Sequence, residues 1–437
     1  MEQTKTHSTF LGKIVGSRQL LRSIAAARQL ISNRGESNST SMALDIMVRF
    51  AQLSETQRGD FFTALAGEFS PDPAAVLEAA QAYSTEPNAR NLIDLTKVCE
   101  PPLQELLRRI NRAPGGTQAI LAMRCNLLKI LDKRPDLLAL DHDFRHLLTS
   151  WFNPGFLTMH RVDWRSPAHV LEKIIQHEAV HEIDGWDDLR RRLQPDRRCF
   201  AFFHHQLEDE PLIFVEVALL NEVPGSIGPL VDKKSMSVSD KSFRVAAFYS
   251  ISNCQPGLRG VSLGNFLIKR VAEQLKREIP NLKTFVTLSP IPGFINWATG
   301  FDDYSVLEGR SALATTMKNS LQELDLIGRP WMQRLAEGWE PGKSSERERK
   351  ALLNLSAIYL TQFSARKGGN PVAKFHLGNG AQLFRVNWAA DLSKKGLRES
   401  AGIMVNYLYD LDRLEENRER FLSKKVVHAR SVTRLLE

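Results

Sequence analysis

Thr287-Leu288-Ser289-Pro290-Ile291-Pro292-Gly293-Phe294 is the stretch whose reading decides the fold. It continues the apolar run Thr284-Phe285-Val286 and reads as a strand that stops abruptly on a serine. Pro290 biases Ser289 towards extended geometry and has no N–H to offer a neighbouring strand. A second proline and a glycine then keep the segment from resuming as helix or central strand. The expected result is a hydroxyl at a strand end, beside a place where sheet pairing fails and a ligand can enter.

Upstream, Gln255-Pro256-Gly257-Leu258-Arg259-Gly260-Val261-Ser262-Leu263-Gly264-Asn265 joins a β run, Val245 to Ser252, to an amphipathic helix, Leu263 to Glu278. Glycines at 257, 260 and 264 let backbone approach a ligand closely, and the free N–H groups of a helix start form an anion site. Ser262 is the expected N-cap and Arg259 adds positive charge, so the turn suits a pyrophosphate. Glycines also serve turns that hold no ligand. Downstream, His376 precedes a Gly378-Asn379-Gly380 turn, which places an imidazole at a strand mouth. Histidine is the natural group to move a proton near neutral pH, although a lone histidine is more often structural.

Further strands are expected over Arg198–His204, Leu212–Leu220, Gln382–Trp388 and Ile403–Tyr409, with helices over Ser311–Trp339 and Ser344–Ser364. From about residue 15 to 150 the pattern is instead helix after helix. Apolar residues recur at helical spacing in Met42–Leu53, Leu103–Ile110 and Ile120–Leu131. The Arg-rich, acid-poor start, Met1 to Gly35, reads as an amphipathic helix with Leu20, Leu21, Ile24, Ala27 and Leu30 on one side; an organelle presequence is the alternative. The chain is therefore α+β and multidomain.

Its 437 residues, 43% hydrophobic and 25% charged, suit a globular protein, and no apolar run approaches the ~20 residues of a membrane helix. A net charge of +8 favours a polyanion or a phosphorylated small molecule. Basic and acidic residues are interleaved, so no nucleic-acid surface is indicated. Cys99, Cys125, Cys199 and Cys254 form no Cys-x-x-Cys pair and fit a reducing compartment. His177-Glu178-Ala179-Val180-His181 has the spelling of a zinc-peptidase motif. Gly185 would put its second histidine in the last turn of any helix and no third ligand follows, so a polar face near a turn is expected.

The Arg259–Gly264 loop between strand and helix, followed by a strand ending in a gap, resembles the acyl-CoA site of the GNAT superfamily. There the loop holds the CoA pyrophosphate and the pantetheine arm runs between two splayed strands. Ser262 stands where a glycine is usual. Together Tyr249-Ser250-Ile251-Ser252, Gly257 to Gly264, Phe266 to Val271, Leu288 to Phe294, His376-Leu377-Gly378-Asn379-Gly380 and Asn406-Tyr407-Leu408-Tyr409 resemble the malonyl-CoA decarboxylase family. The resemblance runs from about Arg161 to the end of the chain. It departs at Ser262, where some relatives are expected to carry an acidic residue.

The resemblance implies an all-helical oligomerisation domain, residues 1–155, followed by a GNAT-like mixed-sheet catalytic domain with helical insertions, residues 156–437. It implies a carboxy-lyase converting malonyl-CoA to acetyl-CoA and CO2 with Ser289 and His376 as the catalytic pair. Arg259, Gly260, Val261, Ser262, Leu263, Gly264 and Asn265 would hold the CoA moiety, and Asn406 and Tyr409 would assist. No cofactor or metal is implied, because the thioester carbonyl itself accepts the charge left by CO2. A homotetramer in the cytoplasm is expected, or in mitochondria for a eukaryotic source; Arg434-Leu435-Leu436-Glu437 is not a peroxisomal signal. The alternatives are a CoA-dependent acyltransferase and a non-catalytic acyl-CoA-sensing scaffold.

Overall fold

The computed structural model describes residues 3–32, 38–207, 209–238, 242–261, 263, 267–300, 307, 309–324, 339–366 and 368–437. The chain divides into two compact units: Met1–Thr158 with Phe203–Glu210 and Gln255–Leu263, and Met159–Phe202 with Pro211–Cys254 and Gly264–Glu437.

The first unit is helical through most of its length, and local chemistry sets its helix starts. Ser54 and Gln57 form a reciprocal capping box at helix Glu55–Glu68. Asp72 caps Pro73–Thr85, with proline at the first position, and Asn88 caps Ala89–Cys99. Phe50 packs at 5.6 Å from Phe61 and 5.7 Å from Phe62 in the core. In helix Gln3–Ser32 the expected apolar face holds for Ile24, Ala27 and Leu30, which are buried. Leu21 is 64% exposed instead. One residue from Leu20 turns the helix by about 100°, which carries Leu21 off that face.

In the second unit the described strands form one mixed sheet: β1 (Leu157–Val162), β2 (Arg197–His204), β3 (Ile213–Leu220), β4 (Val245–Asn253), β5 (Thr284–Thr287), β6 (Ser289–Pro290), β7 (Gln382–Asn387) and β8 (Met404–Leu408). Their order is β1-β2-β3-β4-β5-β8, with β6 and β7 also paired to β8. The β4–β5 pair is parallel; β2–β3, β3–β4 and the pairs to β8 are antiparallel. Helices Leu267–Glu278, Ser311–Glu323 and Glu346–Ile358 intervene, so a mixed sheet with helical insertions is present. The expected helix over Ser311–Trp339 is observed as Ser311–Glu323, and residues 325–338 lie outside the described ones.

The strand expected to run from Thr284 to Ser289 is in fact two. β5 pairs with β4 only as far as Phe248↔Thr287, and the Leu288 N–H still donates to Phe248 O at 2.9 Å. Beyond that point β4 continues to Asn253 paired to β3, while Ser289 and Pro290 pair with Val405 and Met404 of β8. The gap therefore opens on the β4 side and not on the β8 side. Along β8 the register is unbroken from Val286↔Leu408 to Pro290↔Met404, but side chains replace ladder bonds in the middle. Asn406 Nδ2 donates to Thr287 O at 2.8 Å, and the Tyr407 N–H donates to Thr287 Oγ1 at 3.2 Å.

Candidate active site

Strand alternation sorts the residues of this segment. Val286 and Leu288 point into a core with Ala247, Tyr249, Met404 and Ala390. Thr287 and Ser289 take the opposite face, where Tyr407 and Tyr409 of the β8 segment also lie. Ser289 Oγ donates to Thr287 Oγ1 at 2.9 Å and stands 3.1 Å from His376 Nε2. The other ring nitrogen, Nδ1, is 2.8 Å from Tyr409 OH. Tyr407 stacks on the imidazole at 4.7 Å and 26°. Both Ser289 and His376 are buried, at 5% and 4% exposure.

His376 is not at a strand mouth, as its turn had suggested. It sits in the last turn of helix Pro371–Gly378, which Asn370 begins by accepting the Ala373 N–H. Asn370 Nδ2 also donates to Pro292 O at 2.8 Å, tying the histidine helix to the Ser-Pro-Ile-Pro segment. Two residues past the end of the helix, Gly380 has φ +82° and a Cβ there would lie 2.1 Å from Leu414 O. Only glycine fits there, and the chain turns into β7 behind it.

Among the described residues no charged group acts on His376, and the electrostatics follow. Burial alone drives His376 down to about 3, so the imidazole is neutral at physiological pH. Burial, with Tyr407 adding to it, pushes the Tyr409 phenol well above its ordinary value. The arrangement is a buried chain of neutral hydrogen-bonding groups that runs through Tyr409, His376, Ser289 and Thr287. Chemically, it can deliver or accept one proton without stabilising a full charge at rest.

Asn406 makes its hydrogen bonds to groups other than Ser289 and His376. Besides Thr287 O, it donates to Pro224 O and accepts from Arg385 Nε and Asn387 Nδ2. It therefore braces the backbone that carries Thr287. In the first unit, turns run from Gln255 to Val261, and Arg124 pins them by donating to Gly257 O at 2.7 Å. Gly257 approaches so closely that a Cβ would sit 2.4 Å from Leu121 O. Arg259 and Gly260 are exposed, whereas Val261 and Leu263 are buried. Ser262, Gly264 and Asn265 lie outside the described residues. The following helix is described over Leu267–Glu278 and Leu263 itself is not helical, while residues 264–266 lie outside the described ones.

The His177–His181 motif is not helical as a whole, since helix Ala168–His177 ends on its first histidine. Glu178 Oε1 accepts the Val180 and His181 N–H groups, and Oε2 accepts the Ser250 and Ser252 hydroxyls. Among the described residues no group of three or more His, Cys, Asp or Glu could hold a metal ion, and no helix is long and apolar enough to cross a membrane.

Sequence reasoning passed over Thr287, Asn370 and Tyr407. For Thr287 the signal was available, because residues two apart in a strand share a face. Asn370-Pro371 is a helix-start signature. Nothing local distinguishes Tyr407 from a core tyrosine.

Comparison with known proteins gives a consistent result. Residues 155–437 match the family described as Malonyl-CoA decarboxylase C-terminal domain, and residues 69–152 match Malonyl-CoA decarboxylase N-terminal domain. The mitochondrial malonyl-CoA decarboxylase of Mus musculus is 36% identical over 411 residues, covering 88% of this chain and 83% of that protein. The crystal structure of malonyl-CoA decarboxylase from Rhodopseudomonas palustris superposes with a TM-score of 0.83 at 42% identity, over 95% of this chain and 99% of that one. That from Agrobacterium vitis gives 0.81 at 43% identity, over 95% of this chain and 100% of that one.

Proposed function

Because the chain belongs to the malonyl-CoA decarboxylase family, a family of carboxy-lyases, we propose that it converts malonyl-CoA to acetyl-CoA and CO2 with Ser289 and His376 as the reacting pair. The observation that carries this reading is the 3.1 Å approach of Ser289 Oγ to His376 Nε2, buried at the end of a parted strand. Breaking the C–C bond to the carboxylate leaves its electron pair on the α-carbon, delocalised onto the thioester oxygen as an enolate. One proton then converts the enolate to the acetyl group. The Ser289 hydroxyl hydrogen-bonds the carboxylate and holds it out of the enolate plane. His376 gives its Nε2 proton to the α-carbon while Nδ1 takes the hydroxyl proton of Tyr409, which solvent then restores. A desolvated pocket helps, because it penalises the localised carboxylate more than the delocalised enolate.

The edge of β4 beyond its last pair with β5, Phe248↔Thr287, suits an extended pantetheine arm. The phosphates of the CoA moiety are assigned to Arg259, Gly260, Val261, Ser262, Leu263, Gly264 and Asn265, supported by the exposure of Arg259 and Gly260. Residues 1–155 are assigned to self-association into a homotetramer, with residues 156–437 as the catalytic domain; light scattering of the purified protein measures the assembly. Cytoplasmic operation fits the four free thiols.

The deciding experiment is incubation of the purified protein with malonyl-CoA alone. Release of CO2 and acetyl-CoA without an acceptor is expected. Turnover that requires an added amine would make the protein an acyltransferase, and tight binding without turnover would make it a sensing scaffold.

A further inference from the structure

We propose that Thr287 is a positioning residue that sets the polarity of the Ser289–His376 hydrogen bond, so that the histidine donates and the serine accepts. This rests on the decarboxylase reading for its consequence, though not for its geometry. A hydroxyl carries one hydrogen and accepts through two lone pairs. In Ser289 that hydrogen goes to Thr287 Oγ1 at 2.9 Å. Oγ can therefore meet Nε2, 3.1 Å away, only as an acceptor, and Nε2 must carry the ring proton. In a neutral imidazole the other nitrogen is then bare. Nδ1 is 2.8 Å from Tyr409 OH, which donates to it. The chain runs in one direction from end to end: Tyr409 to His376, His376 to Ser289, Ser289 to Thr287. The Tyr407 N–H also donates to Thr287 Oγ1, which keeps that oxygen fixed in place.

The polarity is the reverse of a hydrolytic serine–histidine pair, in which the serine gives its hydrogen to the ring and becomes a nucleophile. Here the ring proton already sits on the nitrogen that faces Ser289. Thr287 holds the serine hydrogen until the carboxylate of the substrate takes it over, and Ser289 continues to accept from Nε2. A threonine at the end of β5, two residues before the serine, thereby selects protonation of carbon over attack on the thioester.

The test uses the full-length protein with 15N-labelled histidine, and His376→Asn to assign the resonance. Wild type is expected to show His376 as the Nε2–H tautomer; an Nδ1–H ring in wild type overturns the proposal whatever the variants do. Thr287→Val is expected to shift the ring towards Nδ1–H and lower kcat on malonyl-CoA by roughly tenfold to a hundredfold with little change in KM. Thr287→Ser, which keeps the oxygen, is expected to restore both. A Thr287→Val protein with an unchanged thermal midpoint, tautomer and kcat also overturns the assignment. Failure of the functional reading looks different: wild type would be Nε2–H and Thr287→Val shifted, with no CO2 released by either.

Discussion

Around Arg192 the second unit buries full charges against one another, whereas around His376 it buries polar groups that carry none. Arg192, 1% exposed by side chain, donates to Asp188 Oδ1 and Glu216 Oε2, each at 2.9 Å. Beside it Arg191 and Arg197 share Asp196, at 2.8 and 3.0 Å. Burial pushes Glu216 up while Arg192 pulls it back, and burial works to lower Arg192 while its carboxylates outweigh that. Among the described residues no counter-charge acts on His376, and burial alone keeps it neutral. Equal desolvation thus produces a fixed ionic strut in one place and a protonically mobile chain in the other. The difference is whether an opposite charge was built alongside.

The comparison is tested hardest at its two centres. His376→Asn should lower kcat on malonyl-CoA by roughly 10²–10⁴-fold, the usual worth of a general acid, while the protein stays folded. Single-turnover decarboxylation in deuterated water checks it: wild-type rate with full α-carbon deuteration in the variant would remove the histidine from the donor role. Arg192→Met should do the opposite. Stranding Asp188 and Glu216 as buried carboxylates should cost roughly 3–5 kcal/mol of unfolding free energy in denaturant titrations, with kcat of the folded fraction near wild type. A loss of rate without a loss of stability would show that the ionic cluster is not merely a strut.

The two clusters should also separate by pH. The folded pKa of His376, about 3, lies below its ordinary 6.5. Between those values the unfolded chain binds a proton that the folded one refuses. Stability is then fully present above pH 6.5 and is lost as pH falls towards 3, at roughly 1.4 kcal/mol per pH unit. Subtracting the same titration for His376→Asn isolates this slope, and kcat should show no inflection near 6.5. Asp196 responds lower down: burial tends to raise it, but Arg191 and Arg197 hold it below its ordinary 3.8. Its contribution persists above that value and fades only in stronger acid.

The smallest effect is expected at Asn370, which belongs to neither cluster but ties the histidine helix to the serine segment. Asn370→Ala removes a helix cap worth about 1 kcal/mol and the bond to Pro292 O. Its thermal midpoint should fall slightly, and kcat should fall more than that loss predicts, because His376 is no longer aimed. Equal kcat in variant and wild type would confine Asn370 to capping.

Much of this was legible from local pattern. β2, β3, β4, β7 and β8 lie within about a residue or two of the runs of apolar and β-branched residues that announce them. The Ser-Pro-Ile-Pro-Gly-Phe run marked the parted strand, and His376 stood out beside its glycine turn. β1 was not legible, because only Leu157 and Val162 are buried and the interior of the strand shows no alternation. The eight-residue helix that carries His376 was too short to declare itself by period.

By itself the sequence determined which face of a strand each residue takes, since alternation is a property of consecutive residues. That is why Thr287 and Ser289 point the same way. Tertiary structure alone decided that His376, 87 positions away, would meet Ser289 and that Tyr409 would meet the far side of the ring. Such meetings depend on how β8 registers against the serine segment and how the histidine helix packs over it. Those are long-range choices of hydrogen-bond partner that no local period encodes, and they, more than the residue types, fix where the proton sits.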